Sequence, residues 1–233
     1  MSFRPPRAEA LLIDGPAGVL EALLEEPQPQ GPQRSVPAGF AVICHPHPLH
    51  GGTLHNKVVH TLARACQERD LPTLRFNYRG VGASTGSYDE GRGETEDALA
   101  VVAAGRARWP HGALTLAGFS FGAMVSLRAA AATAPARLIS VAPAVMSAGS
   151  DSIIRPPCPW LIVQGDADEV VDCRAVQAFA ARFQPPPQLV VLPGAGHFFH
   201  RRLPELRDAA FEFLAATESA ATARLETKKP GKA

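Results

Sequence analysis

The chain of 233 residues has no excess of charge of either sign: 23 Lys and Arg stand against 22 Asp and Glu, a net charge of +1. Lysine itself is scarce, 4 against 19 arginines, and three of the four lie in the final KKPGKA. An interface for nucleic acid or for an anionic membrane surface needs clustered Lys and Arg, so neither partner is expected. No apolar run approaches the roughly 20 residues of a membrane span. The opening MSFRPPRAEALLIDG lacks the apolar core of a secretory signal, and the expectation is a cytoplasmic protein. Cysteine is sparse: Cys44, Cys66, Cys158 and Cys173 form no C-x-x-C pair and show no zinc spacing. In a reducing compartment they are expected as thiols, although an even count is compatible with a bridge.

What is present is the composition of a globular protein, 46% hydrophobic and 19% charged. After two short apolar segments around ALLID and GVLEALLEE comes a Pro/Gln-rich connector, PQPQGPQRSVP, too polar for a core element. Buried-strand runs then alternate with helical spacing: GFAVICHP, NKVVHTLARACQERD, LPTLRFNY, ETEDALAVVAAGRARW, ALTLAGF, GAMVSLRAAAA, ARLISVAPAV, PWLIVQGD, CRAVQAFAARF, QLVVLPG and LPELRDAAFEFLAA. That alternation implies parallel pairing through right-handed crossovers, hence an α/β fold with a mostly parallel twisted sheet and helices on both faces. Glu94, Glu96 and Asp97 near the start of one helix are expected to cap it. Residues 1–216 read as one domain, and 217–233 as a polar, flexible C-terminal tail.

Within this pattern, the GFSFG of residues 118–122 places Ser120 where a buried strand ends and a helix begins. The motif alone is common by chance; in that context it has a mechanical meaning, because a sharp strand-to-helix turn projects the hydroxyl above the sheet. A serine hydroxyl needs a base to take its proton and a third group to orient the base. Two later strand ends supply them. LIVQGDADEVVD leaves Asp166, Asp168, Glu169 and Asp172 in one loop, and LVVLPGAGHFFH puts His197 in another.

The order Ser, Asp, His and nearly the whole chain resemble the α/β-hydrolase superfamily. The combination of CHPHPLHGGTLHNKVV with LRFNYRGVGASTGSYDEGRGETEDA is similar to a small bacterial group of serine hydrolases with an HPHP-xx-GG loop. The resemblance implies a sheet of about eight strands and hydrolysis through a Ser-His-Asp triad without any cofactor. Its usual acid pattern, G-x-x-D-x-x-V, falls on Gly165, Asp168 and Val171, and so favours Asp168 over Asp166. For the oxyanion hole, one N–H is expected from Phe121, the residue after the nucleophile. In His45-Pro46-His47-Pro48 the prolines have no N–H, so His47 is the first donor after the strand, with Leu49 as the alternative. Superfamily lids usually follow the strand after the nucleophile helix. Here only the twelve residues MSAGSDSIIRPP are available, too few for a helical cap, so no cap domain is expected.

Phe119, Tyr88 and Phe198, with Phe121 and Phe199 nearby, are candidates for substrate contact or for core packing. Arg79 could lie at the mouth or form a structural ion pair. His45, His47, His50, His55 and His60 could ligate a metal, but no carboxylate cluster of compatible spacing accompanies them, and no metal is expected. The glycine-rich stretch from Gly80 to Gly86 lacks the immediate helix of a dinucleotide site and reads as a surface loop. The expected function is a serine hydrolase for small or short-acyl carboxylic esters, with a small-molecule ester as its partner; thioesterase, peptidase or acyltransferase activity through the same triad, or a catalytically silent binding fold, are the alternatives. Nothing in the chain marks an oligomeric state.

Overall fold

In a computed structural model of the chain, residues 5–28, 37–147 and 149–226 are described. Eight strands, β1 (Arg7–Gly15), β2 (Gly18–Glu26), β3 (Gly39–Cys44), β4 (Thr73–Phe76), β5 (Ala113–Phe119), β6 (Arg137–Val141), β7 (Trp160–Gly165) and β8 (Gln188–Leu192), form one sheet in the order β1-β2-β4-β3-β5-β6-β7-β8. Five helices accompany them: α1 (Lys57–Gln67), α2 (Arg92–Arg108), α3 (Phe121–Thr133), α4 (Cys173–Ala181) and α5 (Leu203–Glu226). The two opening apolar segments are an antiparallel hairpin, β1 on β2, and β2 adds antiparallel to β4; every pairing from β4 to β8 is parallel. Most of the connector between β2 and β3 lies outside the described residues.

The central strands read as continuous apolar runs because both faces of the sheet are covered. Alternate residues of β3 and β5 (Phe40, Val42, Cys44, Leu114, Leu116) pack with Ala98 and Val101 of α2, Val125 and Leu127 of α3 and Val176 of α4. The residues between them (Ala41, Ile43, Ala117, Phe119) pack with Val58 and Leu62 of α1 and Leu206 and Ala210 of α5. From β3 the chain steps outward to β4 and then returns to β5 on the other side of β3. The connections leaving β3 and β5 therefore diverge, opening a crevice at the C-terminal edge, where ligands bind in folds of this type.

The acids at the start of α2 divide their roles. Glu94 caps the helix, accepting from the Asp89 and Gly91 N–H groups at 2.9 and 2.7 Å. Asp97 and Glu96 instead hold Arg79, at 2.8 and 3.2 Å, so Arg79 is a structural ion pair and the buried Asp97 would cost about 3–5 kcal/mol to leave unpaired. The stretch from Gly80 to Gly86 is a loop, and α2 starts only at Arg92.

The first part of the segment expected as a tail, from residue 217, is helical: α5 continues to Glu226. Alanine-rich sequence favours helix there, and Glu218 ties the segment to the body through Arg69 and Arg137. Residues 227–233, with the three terminal lysines, lie outside the described residues. All four cysteines are free thiols; burial pushes Cys44 and Cys66 up to about 12.

His45 is buried behind the crevice, its Nδ1 donating to the Pro46 carbonyl at 2.7 Å and its Nε2 accepting from the Tyr78 N–H at 3.2 Å. Burial pulls this imidazole from 6.5 down to about 3, against a smaller opposing effect of the Pro46 hydrogen bond. The unfolded chain takes up a proton on His45 near 6.5 and the folded chain only near 3. Protons therefore favour unfolding between those values, and stability falls as pH drops across the window by up to about 1.4 kcal/mol per pH unit. Guanidinium denaturation at successive pH values checks this; a midpoint unchanged from neutral to pH about 4.5 contradicts it.

Candidate active site

β5 ends at Phe119 and α3 begins at Phe121, leaving Ser120 as the single residue of the turn. Its φ of 56° and ψ of −117° lie where residues with a side chain are strained. The Ser120 N–H donates to the Val141 carbonyl at 2.8 Å, and the Ser120 carbonyl accepts from the Ala123 N–H at 3.0 Å, so neighbouring elements hold the strain in place. The flanking glycines serve close approach. A Cβ on Gly118 would stand 2.1 Å from the Gly122 carbonyl oxygen, and one on Gly122 would stand 2.3 Å from that of His45. Without them the first turn of α3 could not sit against both β5 and the end of β3.

From the far side of the crevice, the loops after β7 and β8 bring the other two groups to Ser120. His197 Nε2 lies 3.1 Å from Ser120 Oγ, and His197 Nδ1 lies 2.9 Å from Asp168 Oδ2. With the proton on Nδ1 shared with the carboxylate, Nε2 presents its lone pair to the serine hydroxyl. Asp168 Oδ1 accepts from the Val170 and Val171 N–H groups at 2.8 and 2.7 Å. Burial pushes the Asp168 carboxyl up, but the hydrogen bonds from His197, Val171 and Val170 outweigh it and hold it below its ordinary value of 3.8. Asp166 faces elsewhere: its carboxylate accepts from the Gly194 N–H at 2.6 Å and braces the turn before His197. Asp172 caps α4 through the Ala175 N–H.

Two further residues support this relay. Gln164 Nε2 donates to Asp168 Oδ2 at 3.0 Å, and Glu169 accepts from the His197 N–H at 3.2 Å. Gln164 had a signal, as the one polar residue in the buried run WLIVQG. Glu169 stands among the four candidate acids of its loop, but nothing local in the sequence points to its partner, 28 residues away.

On the near side, Phe121 is the first residue of α3, so its N–H has no intrahelical acceptor. The Leu49 N–H is spent on His47 Nδ1, at 3.2 Å. The His47 N–H has no protein acceptor among the described residues. Phe121 and His47 thus leave two backbone donors at the mouth of the crevice, and Leu49 does not.

This geometry has close relatives. XC6422 from Xanthomonas campestris, described as an α/β serine hydrolase without lid, is 44% identical, with 93% of this chain and 97% of that one covered and a TM-score of 0.84. The chain belongs to the α/β-hydrolase superfamily. An α/β serine hydrolase homologue from Coxiella burnetii is 48% identical over 91% of this hydrolase and 99% of its own chain, with a TM-score of 0.83. An uncharacterized protein of Rickettsia prowazekii is 29% identical over 219 residues, 90% of each chain. A family model described as serine aminopeptidase, S33, matches residues 47–157, which include Ser120 but neither Asp168 nor His197. As in XC6422, described as lacking a lid, no cap domain covers the sheet among the described residues; the described part of the connection from β6 to β7 holds a short 3₁₀ turn at Ser150–Ser152.

The aromatic candidates of the hydrolase part company. Phe119 is wholly buried with its ring 4.9 Å from that of His197, so it backs the imidazole and offers no surface to a substrate. Phe121 and Phe199 are also buried and pack the core. Phe198 is exposed beside His197, and half-buried Tyr88 places its hydroxyl 3.2 Å from His47 Nε2. Among the described residues no group of three His, Cys, Asp or Glu could hold a metal. His50 stacks on His47 with ring centroids 4.5 Å apart. Among the described residues, no helix is long and apolar enough to cross a membrane.

Proposed function

We propose that this hydrolase is a carboxylesterase for small, short-acyl esters, working through an acyl-enzyme on Ser120. The observation that carries this reading is the unbroken hydrogen-bonded relay from Ser120 through His197 to Asp168 at an uncapped crevice. Ser120 Oγ attacks the ester carbonyl while its proton passes to His197 Nε2, and Asp168 stabilises the imidazolium that results. The carbonyl oxygen, now an anion, is received by the Phe121 and His47 N–H groups. As the tetrahedral adduct collapses, the carbonyl–alkoxy bond breaks and the alcohol leaves with the proton from His197. Water then repeats the sequence on the acyl-enzyme to release the acid and restore the serine.

Ester rather than aminopeptide hydrolysis fits the charges at this edge. An aminopeptidase needs a carboxylate presented to the substrate ammonium. Glu94, Asp166, Glu169 and Asp172 are each held by backbone N–H groups instead. The loops after β3, β6, β7 and β8 carry the exposed apolar side chains Leu49, Met146, Val170 and Phe198, a shallow rim suited to a small apolar group.

An uncapped crevice buries little of a long acyl chain, and each CH₂ left in water forgoes up to about 0.8 kcal/mol. Turnover of p-nitrophenyl esters is therefore expected to peak at short chains between acetate and palmitate, with no jump when an ester passes its solubility limit. A peak at long chains or a rise at the emulsion threshold would mean that some segment closes over the site. The same panel extended to thioesters and amino-acid anilides tests the bond type. Preference for the anilides would move the assignment to peptide bonds.

A further inference from the structure

Arg128 follows Phe121 by seven residues on α3, about two turns, and so shares its face of the helix. Side chains on a helix lean toward its N-terminus, which brings the guanidinium back toward the Ser120 end. Two glycines mark where it lies. A Cβ on Gly91 would be 2.6 Å from Arg128 Nη1 and 3.5 Å from Phe121 Cε2, and one on Gly149 would be 3.6 Å from Nη2. The cation is thus half-buried between the loop entering α2 and the connection from β6 to β7, beside the ring of the residue that follows the nucleophile. Burial disfavours its charge and Tyr88 favours it. A guanidinium keeps its charge regardless, and with five N–H donors it can meet a carboxylate in addition to its neighbours in the protein.

Tyr88 flanks the same ring, its centroid 6.1 Å from that of Phe121. The direction of its hydroxyl follows from the hydrogen bonds of His47. His47 Nδ1 accepts the Leu49 N–H, so the neutral ring carries its proton on Nε2 and donates it to the Tyr88 oxygen. The phenolic proton is then directed away from His47. Burial, with the charge of His50, lowers the His47 pKa and so favours the neutral ring. The carboxylates that act on Tyr88 are occupied: Glu94 holds the Asp89 and Gly91 N–H groups, and Glu90 pairs with Arg92. A guanidinium and a phenolic donor therefore stand together next to the residue that supplies an oxyanion N–H.

We propose that Arg128 and Tyr88 form a subsite for a carboxylate carried by the substrate, so that the esters this protein handles best are anionic half-esters. The subsite rests on Ser120 being the nucleophile, and not on the ester being its natural bond. Arg128 is a specificity-determining residue here, and Tyr88 a second, neutral donor.

The test uses two pairs of fluorophosphonates. In one, the phosphorus-bound chain is pentyl or 4-carboxybutyl; in the other, the same difference is placed on the alkoxy group. The ratio of labelling rates, carboxylate over neutral, is expected to fall by about tenfold or more from wild type to Arg128→Gln in one pair, which also tells whether the acid lies on the acyl or the alcohol side. Arg128→Lys should restore part of the ratio, and Tyr88→Phe should lower it by a smaller factor. If Arg128→Gln does not fold, protection of wild-type Ser120 from the neutral probe by glutarate, and not by glutaramide, gives the same reading. A ratio unchanged by Arg128→Gln in both pairs, or no protection by glutarate, overturns the subsite. Labelling with no ester turnover in the substrate panel would end the ester assignment while the ratio still decides the subsite; no labelling by any probe would end both.

Discussion

Asp168→Asn lowers ester turnover by up to about 10⁴, the loss seen when the same relay is broken in a serine protease, whereas Asp166→Asn leaves it within about tenfold. The asymmetry is in the hydrogen bonds. An asparagine at 168 can still accept the Val170 and Val171 N–H groups on its oxygen, so the loop keeps its shape. Its amide nitrogen then faces His197 Nδ1 and Gln164 Nε2, where Oδ2 now receives both. His197 must flip its proton to Nε2 and point a donor at Ser120, which removes the base. Asp166→Asn keeps an oxygen for the Gly194 N–H and touches no part of the relay. Steady-state turnover of a short p-nitrophenyl ester by the two variants checks this. Equal losses would mean that Asp166 or another group supports His197 in solution.

Ser120→Ala has the largest expected effect, a loss of about 10⁶ in turnover where the relay acts as a unit. The fold should survive, because alanine pays the same backbone strain at φ 56° and keeps the hydrogen bonds to Val141 and Ala123. Turnover falling to background with an unchanged melting temperature is the expected result. A binding protein that used this fold without chemistry would have no turnover to lose. Residual turnover within a hundredfold of wild type would place the chemistry elsewhere.

The central strands could be read from the chain because burial on both faces leaves an unbroken apolar run, as in GFAVIC and ALTLAGF. Ser120, Asp168 and His197 could be found for a related reason: each follows the end of such a strand, so the strand ends located the candidates before any contact was known. The choice of Asp168 needed the spacing of a resembling family, since composition treats Asp166 and Asp168 alike. Phe119, open between substrate contact and core packing, could be placed from the sequence. Alternation along β5 places it with Ala117 on the face covered by α1 and α5, away from open solvent. The last turns of α5 are not legible as helix, because a polar composition is common to surface helices and chain ends, and the pairing of Glu218 with Arg69 spans 149 residues of sequence. Arg128 was hidden for a similar reason: its neighbours Gly91 and Gly149 come from two separate loops that only the folded sheet brings together.

The central claim is that Ser120 is a nucleophile activated by His197. A fluorophosphonate reports on it directly, because the serine oxygen forms a bond to phosphorus as the phosphorus–fluorine bond breaks, with the serine proton taken by the imidazole. Intact-mass measurement followed by peptide mapping should show one adduct per chain, on Ser120, and none on Ser120→Ala. An adduct of equal yield on Ser120→Ala, or an unmodified wild-type chain, would contradict the account.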